Sequence, residues 1–338
     1  MNNTGLEQVI HEIKGHNSFL ILVHDKPDGD AIGSSTALAL FIKKLGKTAV
    51  ILSPSDIPQR LHFLKDENVT YINYIDNVSN IENKISGYDY IISIDVASYE
   101  LLGGICNSIT RNIGLVIDHH KINTLEVKNK YVDKNASAAG EIVFSLIQVY
   151  SELEGKSYFD NSICKALFAS VSSDTGCFRY GNTTSFTHII ASHLMSFEIN
   201  TEEINRLLFD TKSYTQIKVE QLAYEKLNMY YNGKLAIVCI DISDLEKIGA
   251  SEEDTETISQ LARMIQGVSV GALMREKIYP DGKSGYKFSV RSNYEADVAE
   301  LCSKFGGGGH KKAAGCSILT DKTSALEAFV KEAEKFII

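Results

Sequence analysis

SFLILVHDKPDGDAIGSSTALALFIKKLG, residues 18–46, decides the fold class. SFLILVH (18–24) is a short, unbroken apolar run closed by a histidine, the pattern of a strand covered on both faces. HDKPDGD brings turn residues, and AIGSSTALALFIKKL (31–45) has helical spacing, Lys43 and Lys44 in its last turn and Gly46 as a stop. Strand, short polar loop and helix in this order form the repeating unit of a parallel α/β sheet. Working outward, TAVIL (48–52), YDYIISID (88–95) and IGLVIDHH (113–120) are further strands. Helices are expected from Ser137, taken as an N-cap, through Tyr150, and over NSICKALFASV (161–171).

Beyond this region the chain turns helical and polar, and we read 197–232 as a helical linker between an N-terminal catalytic domain (1–196) and a smaller C-terminal α/β domain (233–338). KLAIVCID (234–241) opens the second domain, and strands containing LMREK and SVRS flank PDGKSG, whose Gly and Asp suit a hairpin. A chain of 338 residues with 44% hydrophobic content can fill two cores. Lys and Arg number 34 against 43 Asp and Glu, so the formal charge is 34 − 43 = −9, which disfavours a broad grip on long duplex nucleic acid. The six cysteines are widely spaced with no CxxC pair, and they read as free thiols in a reducing compartment. MNNTGLEQVIHEIKGHNS has no secretory pattern and no apolar run approaches the ~20 residues of a membrane span, so a cytoplasmic protein without a membrane partner is expected.

Metal-ligand residues end three of the strands. His24 closes the first, Asp28 and Asp30 lie in the following loop, Asp95 closes the third, and Asp118, His119 and His120 close the fourth, while Asp174 follows the 161–171 helix. The carboxyl edge of an open α/β sheet is where ligands bind, so these groups can converge there. Taken singly, DHH could be a capping turn, HDKPDGD a polar loop with Asp30 as N-cap, and Asp95 or Asp174 structural. Converged carboxylates without Lys or Arg among them repel one another, and cations are the remedy. Mixed Asp and His donors favour Mn²⁺, with Co²⁺, Fe²⁺ or Zn²⁺ as alternatives, over an all-oxygen Mg²⁺ or Ca²⁺ cage. Two ions sharing a carboxylate serve phosphoester hydrolysis.

HDKPDGDAIGSS (24–35), IISID (91–95), VIDHH (116–120), SSDTGCFRY (172–180) and GGGGHKKAAG (306–315) occur in order, and with them the chain resembles the DHH phosphoesterase family, in the branch with the DHH-associated C-terminal domain typified by bacterial bifunctional oligoribonucleases and pAp phosphatases. The resemblance implies that His24, Asp28 and Asp95 hold one Mn²⁺ and that Asp30, Asp95, His119 and Asp174 hold the other, with Mg²⁺, Co²⁺ or other divalent ions as substitutes. It makes Asp118 a residue that orients an imidazole, and gives His120 a contact with the phosphate or with the leaving group. One departure stands out: IDVASYELLGG (94–104) has no Arg or Lys where many relatives carry a basic residue, and none follows until Arg111.

The glycines at 306–309 permit close backbone approach to an anion, and HKKAAG is read as resuming a helix whose N-terminus faces a phosphate; the alternative is a flexible hairpin or linker. By the same resemblance Gly307, Gly308, Gly309 and His310, with Arg275, Arg291 and Ser292, bind substrate across a cleft between the domains, though either arginine could equally be a surface strand residue. The implied activity is hydrolysis of short oligoribonucleotides (nanoRNA, dinucleotides) and of 3′-phosphoadenosine 5′-phosphate (pAp). The alternatives are a phosphodiesterase for cyclic or linear dinucleotides and, from another class, a non-catalytic nucleotide sensor, which requires a broken metal set. A homodimer is expected from the resemblance alone.

Overall fold

The computed structural model describes residues 5–81, 87–255, 258–279 and 282–337. The chain divides into two compact units, Met1–Thr211 and Lys212–Ile338. The stretch 197–232 is split by this boundary. Its helix Tyr214–Glu225 buries Val219 and Ala223 in a core of the second unit, and residues 227–230 form a strand there.

The first unit holds six parallel strands: β1 (Ser18–Leu22), β2 (Thr48–Ser53), β3 (Thr70–Asn73), β4 (Tyr90–Ile94), β5 (Ile113–Asp118) and β6 (Asn129–Val132). Their spatial order is β3-β2-β1-β4-β5-β6, so the chain reverses its direction of travel between β1 and β4. Alternate side chains fill two cores. Phe19, Ile21, Ile92, Ile94, Leu115 and Ile117 face one, whereas Leu20, Leu22, Val50, Leu52 and Val116 face the other. Covering both faces is what the unbroken apolar strands demand.

Three helices, Gly29–Lys44, Ala139–Glu154 and Asn161–Asp174, pack into the first of these cores. The first begins two residues before the expected start, because Asp28 caps it by accepting the N–H groups of Asp30 (2.9 Å) and Ala31 (3.0 Å). Ser137 is not the N-cap of the second. That position belongs to Ala138, which has no capping side chain, while the Ser137 hydroxyl is engaged with the Asn182 carbonyl and Thr187. The third helix extends past 171 and carries Asp174 as its last residue.

The second unit is a six-stranded sheet ordered β11-β12-β10-β9-β8-β7, with β7 (Leu227–Tyr230), β8 (Leu235–Ile240), β9 (Val270–Ile278), β10 (Ser284–Ser292), β11 (Gly308–His310) and β12 (Ala313–Ile318). Among the described residues only the β8–β9 pair of this sheet is parallel. The hairpin expected around PDGKSG joins β9 to β10, with Gly282 at φ +79° and Pro280 and Asp281 outside the described residues. HKKAAG is not a helix start: Lys311 and Lys312 turn between β11 and β12. The helix propensity of KKAA yields to packing, since Gly307 and Gly309 press on β12 so closely that a Cβ would fall 2.2 Å from the Gly315 carbonyl oxygen and 2.5 Å from that of Ala313.

Candidate metal centre

The reversal between β1 and β4 opens the crevice in which α/β sheets hold ligands, and the residues after these two strands are His24 and Asp95. Asp95 takes φ +57°, a left-handed conformation strained for a residue with a Cβ. Its backbone N–H donates to the Ile117 carbonyl at 3.0 Å, which ties the turn to β5. One carboxylate oxygen, Oδ2, lies 3.7 Å from His24 Nε2, and the other, Oδ1, lies 3.4 Å from His119 Nε2. His24 Nε2 is 3.8 Å from Asp28, and His119 Nε2 is 3.6 Å from Asp30 and 3.2 Å from Asp174.

Two ligand groups result, His24/Asp28/Asp95 and Asp30/His119/Asp174, each with donor atoms within 4.8 Å of one another. Asp95 belongs to the first and touches the second through His119. The imidazoles are oriented from behind. His24 Nδ1 lies 2.9 Å from the Asp25 carbonyl and His119 Nδ1 lies 3.3 Å from that of Ala136, and because a carbonyl can only accept, both Nδ1 atoms carry the proton. Nε2, which faces the carboxylates, is therefore the nitrogen that gives up its proton when a metal takes its place, leaving the tautomer a metal ligand needs.

Asp30 is fully buried and held by three donors: the backbone N–H groups of Ala139 (2.7 Å) and Gly140 (3.1 Å) and the Ser170 hydroxyl. This remote carboxylate supplies the cap that Ala138 cannot. Asp174 sits at the unfavourable negative end of its helix, and Asn182 Nδ2 donates to its carbonyl at 3.1 Å. Neither Ser170 nor Asn182 was legible as part of the site, because their roles depend on partners distant in sequence.

The electrostatics fit cations. Burial, then the charges of neighbouring aspartates, raises Asp30, Asp95 and Asp174 above the ordinary carboxylate range, Asp174 to about 6. Burial opposes the charged form of His24 and His119, yet the surrounding carboxylates outweigh it and push them up to about 10 and about 12. Asp28 goes the other way, to about 2, because its bonds with His24 and with the amides of Ala31 and Asp30 overcome burial. Asp95 Oδ1 is buried with no hydrogen-bond partner. A crowd of acids borrowing protons, with an orphaned oxygen at its centre, is a donor set suited to divalent ions.

Asp118 and His120 stand beside this set. His120 Nδ1 meets Asp118 Oδ1 at 2.7 Å but is 3.7 Å from Asp95, and Asn123 Nδ2 donates to the other Asp118 oxygen at 2.6 Å. Burial would raise Asp118, but the bonds from His120 and Asn123 outweigh it and keep the carboxylate ionised. His120 can also be grouped with Asp95 and His119, though the nitrogen nearest Asp95 is the one bonded to Asp118.

In the second unit, Arg291 is paired with Ala313, and Ala313 with His310, so the arginine and histidine share one row and one face, separated by a small residue. His310, Gly308 and Gly309 are exposed, and Gly307 is half-buried. Ser292 is buried, its hydroxyl donating to the Ala296 carbonyl at 2.8 Å. Arg275 lies apart. It belongs to the row of Lys287, four residues or about 13 Å along β9 from the row of Arg291. There it is buried, ion-paired to Glu252 and bonded to Thr255 Oγ1 at 2.5 Å, so its guanidinium braces the 252–255 turn.

The fold and the ligand set define a class: the chain belongs to the DHH family of phosphoesterases, with the DHH N-terminal domain matching residues 18–171 and the DHHA1 domain residues 212–338. Its curated relatives include the probable bifunctional oligoribonuclease and PAP phosphatase NrnA of Streptococcus mutans, 26% identical over 93% of this chain and 94% of that protein. The bifunctional oligoribonuclease and PAP phosphatase NrnA of Thermus thermophilus is 28% identical over 92% of this chain and 86% of its own. An exopolyphosphatase-related protein from Bacteroides fragilis has the same fold, with a TM-score of 0.88 at 21% identity over 98% of this chain and 96% of its own. RecJ of Thermus thermophilus, solved in complex with Mn²⁺, gives a TM-score of 0.51 at 12% identity over 99% of this chain and 55% of its own. Among the described residues, no helix is long and apolar enough to cross a membrane.

Proposed function

We propose that the chain hydrolyses short oligoribonucleotides and pAp to mononucleotides, using two Mn²⁺ ions held by His24, Asp28, Asp30, Asp95, His119 and Asp174. The observation that carries the reading is Asp95, whose two oxygens face the two ligand groups separately, one toward His24 and one toward His119. The names of the Streptococcus mutans and Thermus thermophilus relatives support the substrates, and the RecJ complex supports the metal. When bound, such ions acidify a water and neutralise charge on the attacking and leaving oxygens of the phosphoryl group.

The chain's own residues orient and exchange protons. Asp118 fixes His120 through Nδ1, which leaves His120 Nε2 to contact the phosphate or to protonate the leaving oxygen. We assign Arg291 and His310, with Gly307, Gly308 and Gly309, to holding a terminal phosphate or base. Ser292 supports them by fixing the backbone at Lys311, to whose carbonyl its hydroxyl also donates at 3.2 Å. The net charge of −9 suits short substrates, and six unpaired cysteines suit the reducing cytoplasm.

The test is a panel of pAp, 5′-phosphorylated dinucleotides, longer RNA and cyclic dinucleotides, assayed with Mn²⁺ and read by product chromatography. Mononucleotide release from dinucleotides and adenosine 5′-monophosphate from pAp are expected. Cleavage of cyclic dinucleotides alone would assign the site to that substrate, and binding of any of these compounds without turnover would make the protein a sensor.

A further inference from the structure

Between Asp95 and Arg111 there is no Lys or Arg, and the segment following Asp95 instead exposes Tyr99 (38%) and Leu101 (40%) in a short turn, Tyr99–Leu102. Hydrogen bonds place this turn at the edge of the metal centre. The Leu101 carbonyl accepts the N–H of Asp25, the residue after His24, at 2.6 Å. On its other side the Ala97 carbonyl accepts the Thr124 N–H at 2.8 Å, and Asn123, which holds Asp118, donates to the Val96 carbonyl at 2.8 Å. The turn is thus laced to both loops that carry ligands. In the second of these loops, two residues past His120, Ile122 is 76% exposed.

Tyr99 is held as well as exposed, since its hydroxyl donates to the Glu126 carbonyl at 3.1 Å and fixes the ring over the loop. Lys121 stands beside Ile122 in the adjoining loop, but a phosphate finds no partner in the turn Tyr99–Leu102 itself, whose one charged residue is Glu100. The uncharged, flat part of a nucleotide does, because every base has a π-face that stacks on an aromatic ring. We propose that Tyr99, flanked by Leu101 and Ile122, is the platform on which a substrate nucleobase stacks while its phosphate lies at the ligand residues. This rests on the functional reading above and deepens it: selection is for a base next to the scissile phosphate, not for a second phosphate.

The test compares kcat and KM for a 5′-phosphorylated dinucleotide and for the same compound lacking its bases, in the Mn²⁺-loaded full chain and in Tyr99→Ala and Tyr99→Phe. Wild type should prefer the compound with bases. Tyr99→Ala should reduce that preference by about fivefold to a hundredfold through the KM of the dinucleotide, the range expected for one stacked base, and Tyr99→Phe should keep it. An unchanged preference in Tyr99→Ala overturns the platform, and so does a Tyr99→Phe protein that behaves like Tyr99→Ala, since the hydroxyl's hold on Glu126 would then be the whole effect. A wild type that cleaves neither compound overturns the functional reading itself, an outcome distinct from either.

Discussion

Asp30 caps the helix that starts at Ala139, accepting the Gly140 backbone N–H at 3.1 Å across 110 residues of sequence. The metal centre and the packing of two helices therefore share one carboxylate. A Cβ on Gly140 would fall 1.9 Å from the Ser170 hydroxyl, the third donor to Asp30, so this contact has room only for glycine.

Gly140→Ala should accordingly lower stability by about 1–3 kcal/mol, the range for overpacking, and should also reduce metal content by moving Asp30. Denaturant unfolding and elemental analysis read the two effects. Gly5→Ala, at a position with nothing within 4 Å, is the control and should change neither.

Asp95→Asn separates the catalytic role from the folding role. Removing one of several crowded buried charges relieves repulsion, so the metal-free variant should be at least as stable as metal-free wild type. Its activity should fall to background, and Mn²⁺ should no longer raise its melting temperature. Substantial activity in the folded variant would refute a carboxylate shared by two ions.

The pH dependence has a definite sign. Asp174, raised from 3.8 to about 6, holds its proton more tightly folded than unfolded, so stability falls as pH rises between those values. His24, raised from 6.5 to about 10, adds stability that is complete below the unfolded value and lost as pH rises through the folded one. Asp28, lowered from 3.8 to about 2, acts only in acid, where its contribution disappears as pH falls through the folded value. From about pH 5 to 9 chelated protein should thus melt at progressively lower temperature. Ions compete with these protons, so the gain in melting temperature on adding Mn²⁺ should widen over the same range. A constant gain measured by calorimetry would mean that Mn²⁺ does not displace them.

Much of this was legible from the chain because strand ends are local features. His24, Asp95 and Asp118 each follow or close an apolar run, and a parallel sheet aligns such ends at one edge. The edge strands β3 and β6 escaped detection, since TYIN and NKYV are short and only partly apolar, with burial on a sheet margin in place of a core. The cap by Asp30 was illegible for a different reason: a carboxylate two residues after Asp28 looks like local helix capping, and nothing in sequence announces a partner at Gly140. HKKAAG misled because Lys and Ala favour helices, whereas the glycines before them fit tightly against β12. Arg275 is engaged by the Glu252 carboxylate, 23 residues away in sequence, and no local pattern announces that pairing.

The row shared by Arg291, Ala313 and His310 predicts coupling between two residues on different strands. If both hold the same substrate group, His310→Ala and Arg291→Ala should each lower kcat/KM on a dinucleotide by about 1–3 kcal/mol, as expected for a hydrogen bond to a charged group. The double variant should lose less than the sum, because once one partner is gone the substrate is no longer held against the other. Metal content should stay at the wild-type level in all three, since no ligand is touched, while His119→Ala should lose metal directly. The measurements are a double-mutant cycle in kcat/KM with elemental analysis of each protein. Strict additivity would separate the two residues into independent roles, and loss of metal in His310→Ala, or unchanged kinetics with full metal, would remove the glycine-rich hairpin from substrate binding.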